Sequence, residues 1–151
     1  VVTLLHPQRQ GHARCPAGGV QKPGPQPLRE EAVRAALVDE SLDVIRAIWS
    51  GDDVCFEGRH FQARGITAHP RPVSTPHPPI WIGGNTGRAR QRVATRGDGW
   101  APFPAPAGLA RAARTAELNS LDALAAGIED LKRRCDAADR DWTAIDICFA
   151  N

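Results

Sequence analysis

The sequence predicts an α/β protein with a parallel sheet, and three observations carry that reading. Short apolar runs alternate with helical patterns along the chain, the order that yields parallel strands joined by crossover helices. The stretch Pro79-Ile-Trp-Ile-Gly-Gly-Asn-Thr-Gly-Arg-Ala-Arg passes from an apolar run through glycines directly into an Ala/Arg-rich helix. From Gly84 to Gly99 there is room for one helix between two strands, the span of a βαβ crossover.

Taken in order, Val1 to Leu5 reads as a short buried strand. Residues 8–27 have no period of two or 3.6 and are punctuated by proline and glycine; such a long structureless stretch is unusual inside a compact domain. A helix is expected from about Leu28 to Trp49, with Val38, Leu42, Ile45 and Trp49 lining one face and Gly51 ending it. Val54-Cys-Phe-Glu-Gly-Arg-His-Phe alternates about a Glu-Gly turn and reads as a small hairpin. The proline-rich segment that follows, up to Pro79, reads as an extended, semi-rigid surface lead-in.

Ile80-Trp-Ile is then a buried parallel strand, and a helix runs from about Thr86 to Arg96 with Ala89 and Val93 inward. Gly97-Asp-Gly-Trp-Ala gives the next strand, and Pro102-Phe-Pro-Ala-Pro a loop. Leu121, Leu124, Ile128, Leu131 and Cys135 step by three and four, capped by Asn119 or Ser120. Ala144 to Phe149 resumes as a strand with Ile145, Ile147 and Phe149 on one side. These elements divide the chain into an irregular segment, 1–27, and an α/β part, 28–151.

Bulk properties bound the function. The 151 residues suit one domain with a real core. A net charge of +2 gives no argument for nucleic acid. No apolar run reaches membrane-spanning length, and the first residues lack the pattern of a signal peptide. The four cysteines, Cys15, Cys55, Cys135 and Cys148, form no C-x-x-C pair, and the five histidines are scattered. Free thiols, a cytoplasmic location and no metal site are therefore the expectation.

The chemistry concentrates at the glycine turn. A strand that stops at glycines and opens into a helix directs unpaired N–H groups at one spot, an anion site. Gly83-Gly-Asn-Thr-Gly lacks the G-x-G-x-x-G spacing of a dinucleotide fingerprint, and no lysine follows to make a P-loop. Two readings of the glycines remain, a phosphate site and tight strand–helix packing. Arg88 and Arg90 favour the first, because a positive charge in a first helical turn opposes the macrodipole unless an anion sits there. Arg92 continues the same basic face, while Arg96 suits the C-terminal end. Trp100, and less so Trp81, offers a ring to a planar ligand or simply fills the core. Asp98 is a general base or a turn residue. No Ser/His/Asp or Cys/His constellation can be assembled, so the catalytic residues are unknown.

Glu40-Ser-Leu-Asp-Val-Ile-Arg-Ala-Ile-Trp, Phe56-Glu-Gly-Arg-His-Phe, Pro70-Arg-Pro-Val, Pro78-Pro-Ile-Trp-Ile-Gly-Gly and Gly97-Asp-Gly-Trp occur in that order. In this the sequence resembles the C-terminal part of a luciferase-like monooxygenase, of the coenzyme F420-dependent oxidoreductase branch. The resemblance implies a partial (β/α)8 TIM barrel with its site at the βα loops. It implies hydride transfer between coenzyme F420, or alternatively FMN, and a small-molecule substrate. It makes Gly83, Gly84, Asn85 and Thr86 the contacts to the cofactor phosphate; Arg88 and Trp100, read from charge and ring and open as well to a solvated-surface and a core reading, complete the candidate set. It also implies that this is a truncated member, so that catalytic competence is open and the chain is expected to form homo-oligomers or to depend on a missing barrel half. Asp139 stands where the family's pattern has a helix-ending glycine.

Overall fold

The computed structural model describes residues 31–149, so the expected strand at residues 1–5 and the irregular stretch 8–27 lie outside the described residues. The chain divides into two compact units, Val1–Pro78 and Pro79–Asn151.

In the first unit, helix α1 (Glu31–Ser50) is followed by the antiparallel hairpin of β1 (Val54–Glu57) and β2 (Gln62–Ile66). Val44, Phe56 and Ala63 form its core, with Ile48, Phe61 and Ile66 packed against them. The hairpin turn is held from α1: one Glu40 carboxylate oxygen accepts from the backbone N–H groups of His60 (2.8 Å) and Phe61 (2.7 Å). A Cβ at Gly58 would collide with that carboxylate, so the Glu-Gly pair of the hairpin reflects a long-range contact. The face of α1 differs from expectation. Ala35 and Val44 are buried, whereas Val38 and Ile45 are exposed. This helix is apolar on more than one side, and periodicity alone does not choose which side meets the hairpin.

In the second unit, β3 (Trp81–Gly83), β4 (Gly99–Ala101) and β5 (Asp146–Ile147) form a parallel sheet in sequence order. Helix α2 (Gly87–Arg96) connects β3 to β4; α3 (Ala107–Ala112), α4 (Leu121–Ala137) and a 3-10 turn (Trp142–Ala144) connect β4 to β5. Ile82, Trp100 and Ile147 share one register row and one sheet face. They pack with Val93 and Ala94 of α2, with Leu124, Ile128, Leu131 and Cys135 of α4, and with Ile145. Leu121, at the start of the apolar stripe of α4, projects beyond this core and is exposed. Gly97 is a glycine for proximity: its φ is −96°, and a Cβ there would lie 2.9 Å from Ile82 and 3.1 Å from the Val93 Cα.

Helix α4 ends in a Schellman motif, with Asp139 at φ 52° and Arg140 N–H donating to Cys135 O at 2.9 Å. Asp139 thus holds the conformation that favours glycine, as the sequence implied. Among the described residues no helix is long and apolar enough to cross a membrane, and no His/Cys/Asp/Glu group is placed to hold a metal. The expectation of free thiols holds for Cys135 and Cys148 and not for Cys55, which is disulfide-bonded; spacing between cysteines in sequence does not report distance in the fold.

Candidate functional site

The glycine turn forms as expected and is locked from behind. After β3, Gly84 adopts φ 104°, open only to glycine in practice, and reverses the chain toward α2. Thr86 is the N-cap; its hydroxyl oxygen accepts from Ala89 N–H at 3.1 Å. The next donors, the N–H groups of Gly87 and Arg88, belong to the first turn and have no intrahelical partner. Gly83 is exposed, and a Cβ there would have Ala101 O, at 3.9 Å, as its nearest neighbour. Arg88 is exposed, and its side chain makes no hydrogen bond or ion pair among the described residues.

Asn85 and Trp100 have different work from that expected. Asn85 is 2% exposed. Its amide nitrogen donates to Phe103 O (2.9 Å) and Ala116 O (3.2 Å), and its amide oxygen accepts from Phe103 N–H (3.1 Å). Its backbone N–H donates to the Thr115 hydroxyl at 2.8 Å. Trp100 is 0% exposed and donates its indole N–H to Gly84 O at 2.9 Å. Neither the Asn85 amide nor the Trp100 ring therefore presents a free donor or face to a ligand. The side chain of Asn85 is consumed by knitting the turn to the loop after β4.

That loop holds the partners in place. Ala105 and Leu118 form an isolated antiparallel bridge, with N–H···O distances of 2.8 and 3.0 Å. Within it, α3 ends in its own Schellman motif: Arg114 stands at φ 51°, and Thr115 N–H donates to Ala110 O at 2.9 Å. This ending delivers the Thr115 hydroxyl to Asn85. Nothing in the sequence marks α3, whose six residues are too few to show a period.

Charge is organised behind the turn as well. The Arg90 guanidinium donates through Nη1 to Asn85 O at 2.7 Å and through Nε to the Asp130 carboxylate of α4 at 2.6 Å. It also lies over the Trp100 ring, 5.8 Å from the centroid. Asp130 accepts further from Arg134 (2.8 Å) and Arg133 (3.0 Å). Burial alone would raise the Asp130 pKa, but the hydrogen bonds and charges of Arg134 and Arg90 hold it down to about 2. Arg90 is thereby neutralised against the helix dipole by a carboxylate, while Arg88 has no such partner among the described residues. Arg134 Nη2 lies beside Gly87, 3.0 Å from where a Cβ would stand, adding positive charge at the same helix end.

Asp98 lies at the other end of the sheet. Its carboxylate accepts from Ile80 N–H at 2.8 Å and faces Arg140 at 3.5 Å, so it clamps the starts of β3 and β4 and is a turn residue. Trp81 is 44% exposed, on the sheet face opposite Ile82 and Trp100. Gly127, Asp130 and Thr115 were the residues missed. Gly127 carried a signal: a glycine inside an otherwise regular helix is unfavourable, and here a Cβ would stand 2.9 Å from the Trp100 ring.

Comparison with known proteins bears on family and fold. A family model described as luciferase-like monooxygenase matches residues 29–150. The F420-dependent glucose-6-phosphate dehydrogenase of Nakamurella multipartita is 36% identical over 111 residues, 73% of this chain and 30% of that protein. The FMNH2-dependent dimethylsulfone monooxygenase of Pseudomonas putida is 31% identical over 75 residues, 50% of this chain and 20% of that protein. A long-chain alkane monooxygenase structure aligns with TM-score 0.66 and 17% identity, covering 84% of this chain and 31% of its own. An F420-dependent secondary alcohol dehydrogenase, solved with an F420–acetone adduct, aligns with TM-score 0.59 and 17% identity, covering 79% and 32%. The chain thus spans at most 32% of the length of these relatives. The likeness establishes an α/β fold of the TIM-barrel type, of which the described residues form an open, three-stranded part and no closed barrel.

Proposed function

The chain belongs to the luciferase-like monooxygenase family, and from that premise we propose that it carries the phosphate-binding end of a coenzyme F420 site, with FMN as the alternative cofactor. The observation that supports this reading is the turn itself. Gly84 reverses the chain at φ 104°, and the Gly84 and Asn85 carbonyls are bonded to Trp100 and Arg90. What is left at the mouth is positive: the N–H groups of Gly87 and Arg88, the Arg88 side chain, and the dipole of α2. The absence of a Cβ at Gly83 lets a phosphate approach the backbone there. Thr86 adds a hydroxyl that can donate while its oxygen caps the helix. Asn85 and Trp100 serve the site by holding its shape.

A bound deazaflavin or flavin would supply hydride transfer to or from a small organic substrate. This stretch contributes binding and orientation of the phosphate end. A second reading, cofactor binding without turnover, is favoured by the site's composition. Around the turn the described residues are glycines, arginines and fully engaged amides, with no pair of groups set for proton transfer.

The matched stretches cover 30% and 20% of the two curated relatives' own length, and in this reading the remainder of such a site belongs to barrel strands outside the match. The edges of β3 and β5 are unpaired among the described residues, and open edges recruit further strands. In this reading the chain is a barrel fragment, working in the cytoplasm as a self-associated species or paired with further barrel strands. Size-exclusion chromatography showing a compact monomer would reject the association.

Fluorescence titration with coenzyme F420 and with FMN tests the main reading. Saturable binding by the parent chain, lost in Gly84→Asp, is the expected result. Absence of saturable binding to either cofactor overturns it. Binding without oxidoreductase activity in any substrate screen selects the second reading.

A further inference from the structure

We propose that Arg90, clamped by Asp130, is a positioning residue for the cofactor phosphate: it holds the Asn85 carbonyl away from the anion that the turn receives. This rests on the reading of the turn as a phosphate site and goes beyond it, because Arg90 acts through the Asn85 carbonyl.

The argument begins with what a phosphate cannot tolerate. A backbone carbonyl pointing into an anion site repels the ligand and cancels the donors around it. The turn has two carbonyls close to the mouth, those of Gly84 and Asn85, and both are tied elsewhere. Trp100 Nε1 holds the first at 2.9 Å and Arg90 Nη1 the second at 2.7 Å. A neutral indole N–H fixed in the core suffices for Gly84. For Asn85 the fold uses a cation, and its guanidinium is fixed on two sides. Asp130 accepts from Nε at 2.6 Å, and Trp100 lies beneath it with its centroid at 5.8 Å.

The fork geometry matters here. One guanidinium edge serves the carboxylate while another nitrogen serves the carbonyl, which a lysine ammonium of the same charge cannot reproduce in the same places. Asp130 in turn is shared by Arg90 on α2 and Arg134 on α4, with Arg134 also donating to Gln91 Oε1 at 2.9 Å. The orientation of the Asn85 carbonyl is therefore set by α4, some forty positions later in the chain.

Phosphate-bearing and phosphate-free forms of one ring system isolate this effect. The parent, Arg90→Lys and Asp130→Asn are titrated with FMN and with riboflavin, and with coenzyme F420 and its phosphate-free deazaflavin chromophore. Far-UV circular dichroism and thermal unfolding are recorded on each. In the parent, the phosphate-bearing form binds more tightly. In Arg90→Lys that preference shrinks by about 5- to 20-fold, the scale of one charge-assisted hydrogen bond, while affinity for the phosphate-free form is unchanged. Asp130→Asn gives a smaller loss in the same direction.

If both variants keep the parent's preference, or lose affinity for both forms equally, the positioning role is overturned and the phosphate reading survives. If the parent itself shows no preference for the phosphate-bearing form, or binds neither, the phosphate reading is overturned and the role of Arg90 with it.

Discussion

Glycine-to-alanine substitution at two helix positions separates packing from propensity, because the structure predicts opposite signs. Gly108 lies in α3, and a Cβ there would meet nothing within 4 Å. Alanine in place of a helical glycine stabilises by about 0.5–1 kcal/mol, so Gly108→Ala raises stability by that amount. Gly127 lies in α4, and there the Cβ would stand 2.9 Å from Cη2 of Trp100. Ordinary carbon–carbon contact is about 3.5–4.0 Å, so the ring or the helix must give by roughly 0.6–1 Å. Trp100 is 0% exposed and has no open side to move into. Overpacking of this kind costs about 1–3 kcal/mol, and loosening the indole bond to Gly84 O adds about 1 kcal/mol. Set against the propensity gain, Gly127→Ala is destabilising by about 1–3 kcal/mol. Urea unfolding of both variants, followed by circular dichroism, reads the two signs. A Gly127→Ala chain as stable as Gly108→Ala would refute the close approach of α4 to the ring.

Three further outcomes follow from the same contacts. Asn85→Ala removes the three hydrogen bonds of a buried amide to the Phe103 and Ala116 carbonyls and the Phe103 N–H, and its urea midpoint falls by the equivalent of about 1–3 kcal/mol; a loss within about 0.5 kcal/mol of a surface control would mean that the turn is not knitted to the loop. Asp130 has a folded-state pKa lowered from 3.8 to about 2, so its contribution is present above the unfolded value and lost as pH falls from about 4 through about 2. A shift of this size has a ceiling of about 2.5 kcal/mol, and the partial exposure of the pair reduces it to about 1–2. Acid unfolding of Asp130→Asn should lack that slope, and an identical acid profile would argue against the pair. Asp139→Gly relieves a left-handed residue at the end of α4 and should raise the midpoint of thermal unfolding by the equivalent of about 0.5–1 kcal/mol, a result that differential scanning calorimetry can deny.

Most of the second unit was legible because its signals are local. Ser120 and Thr86 cap where capping residues stand, the stripe from Leu124 to Cys135 meets the core, and glycines mark both sides of the crossover. The glycine turn was legible as a place, through Gly83, Gly84 and the helix after them. Its wiring was not, because each tie is long-range. Thr115 reaches Asn85 across 30 positions and Asp130 reaches Arg90 across 40, distances at which residue type gives no hint of partner. Asn85 looked like a ligand donor since a polar residue beside glycines reads the same whether it is buried or exposed. In α1 the failure was of another kind: Val38, Leu42, Ile45 and Trp49 satisfy a helical period, but Val44 and Ile48 also stand one turn apart, and these two meet the hairpin.

The sealing of Trp100 has an optical consequence. Of the four tryptophans, Trp81 and Trp142 are 44% and 38% exposed and Trp49 is partly covered, while Trp100 is wholly enclosed. A water-borne quencher such as iodide extinguishes exposed indoles and leaves enclosed ones emitting. The emission that survives at high quencher concentration comes chiefly from the ring bonded to Gly84. The unlabelled protein thus carries its own fluorophore at the back of the turn, and a disturbance there reddens that residual emission before the rest of the chain unfolds.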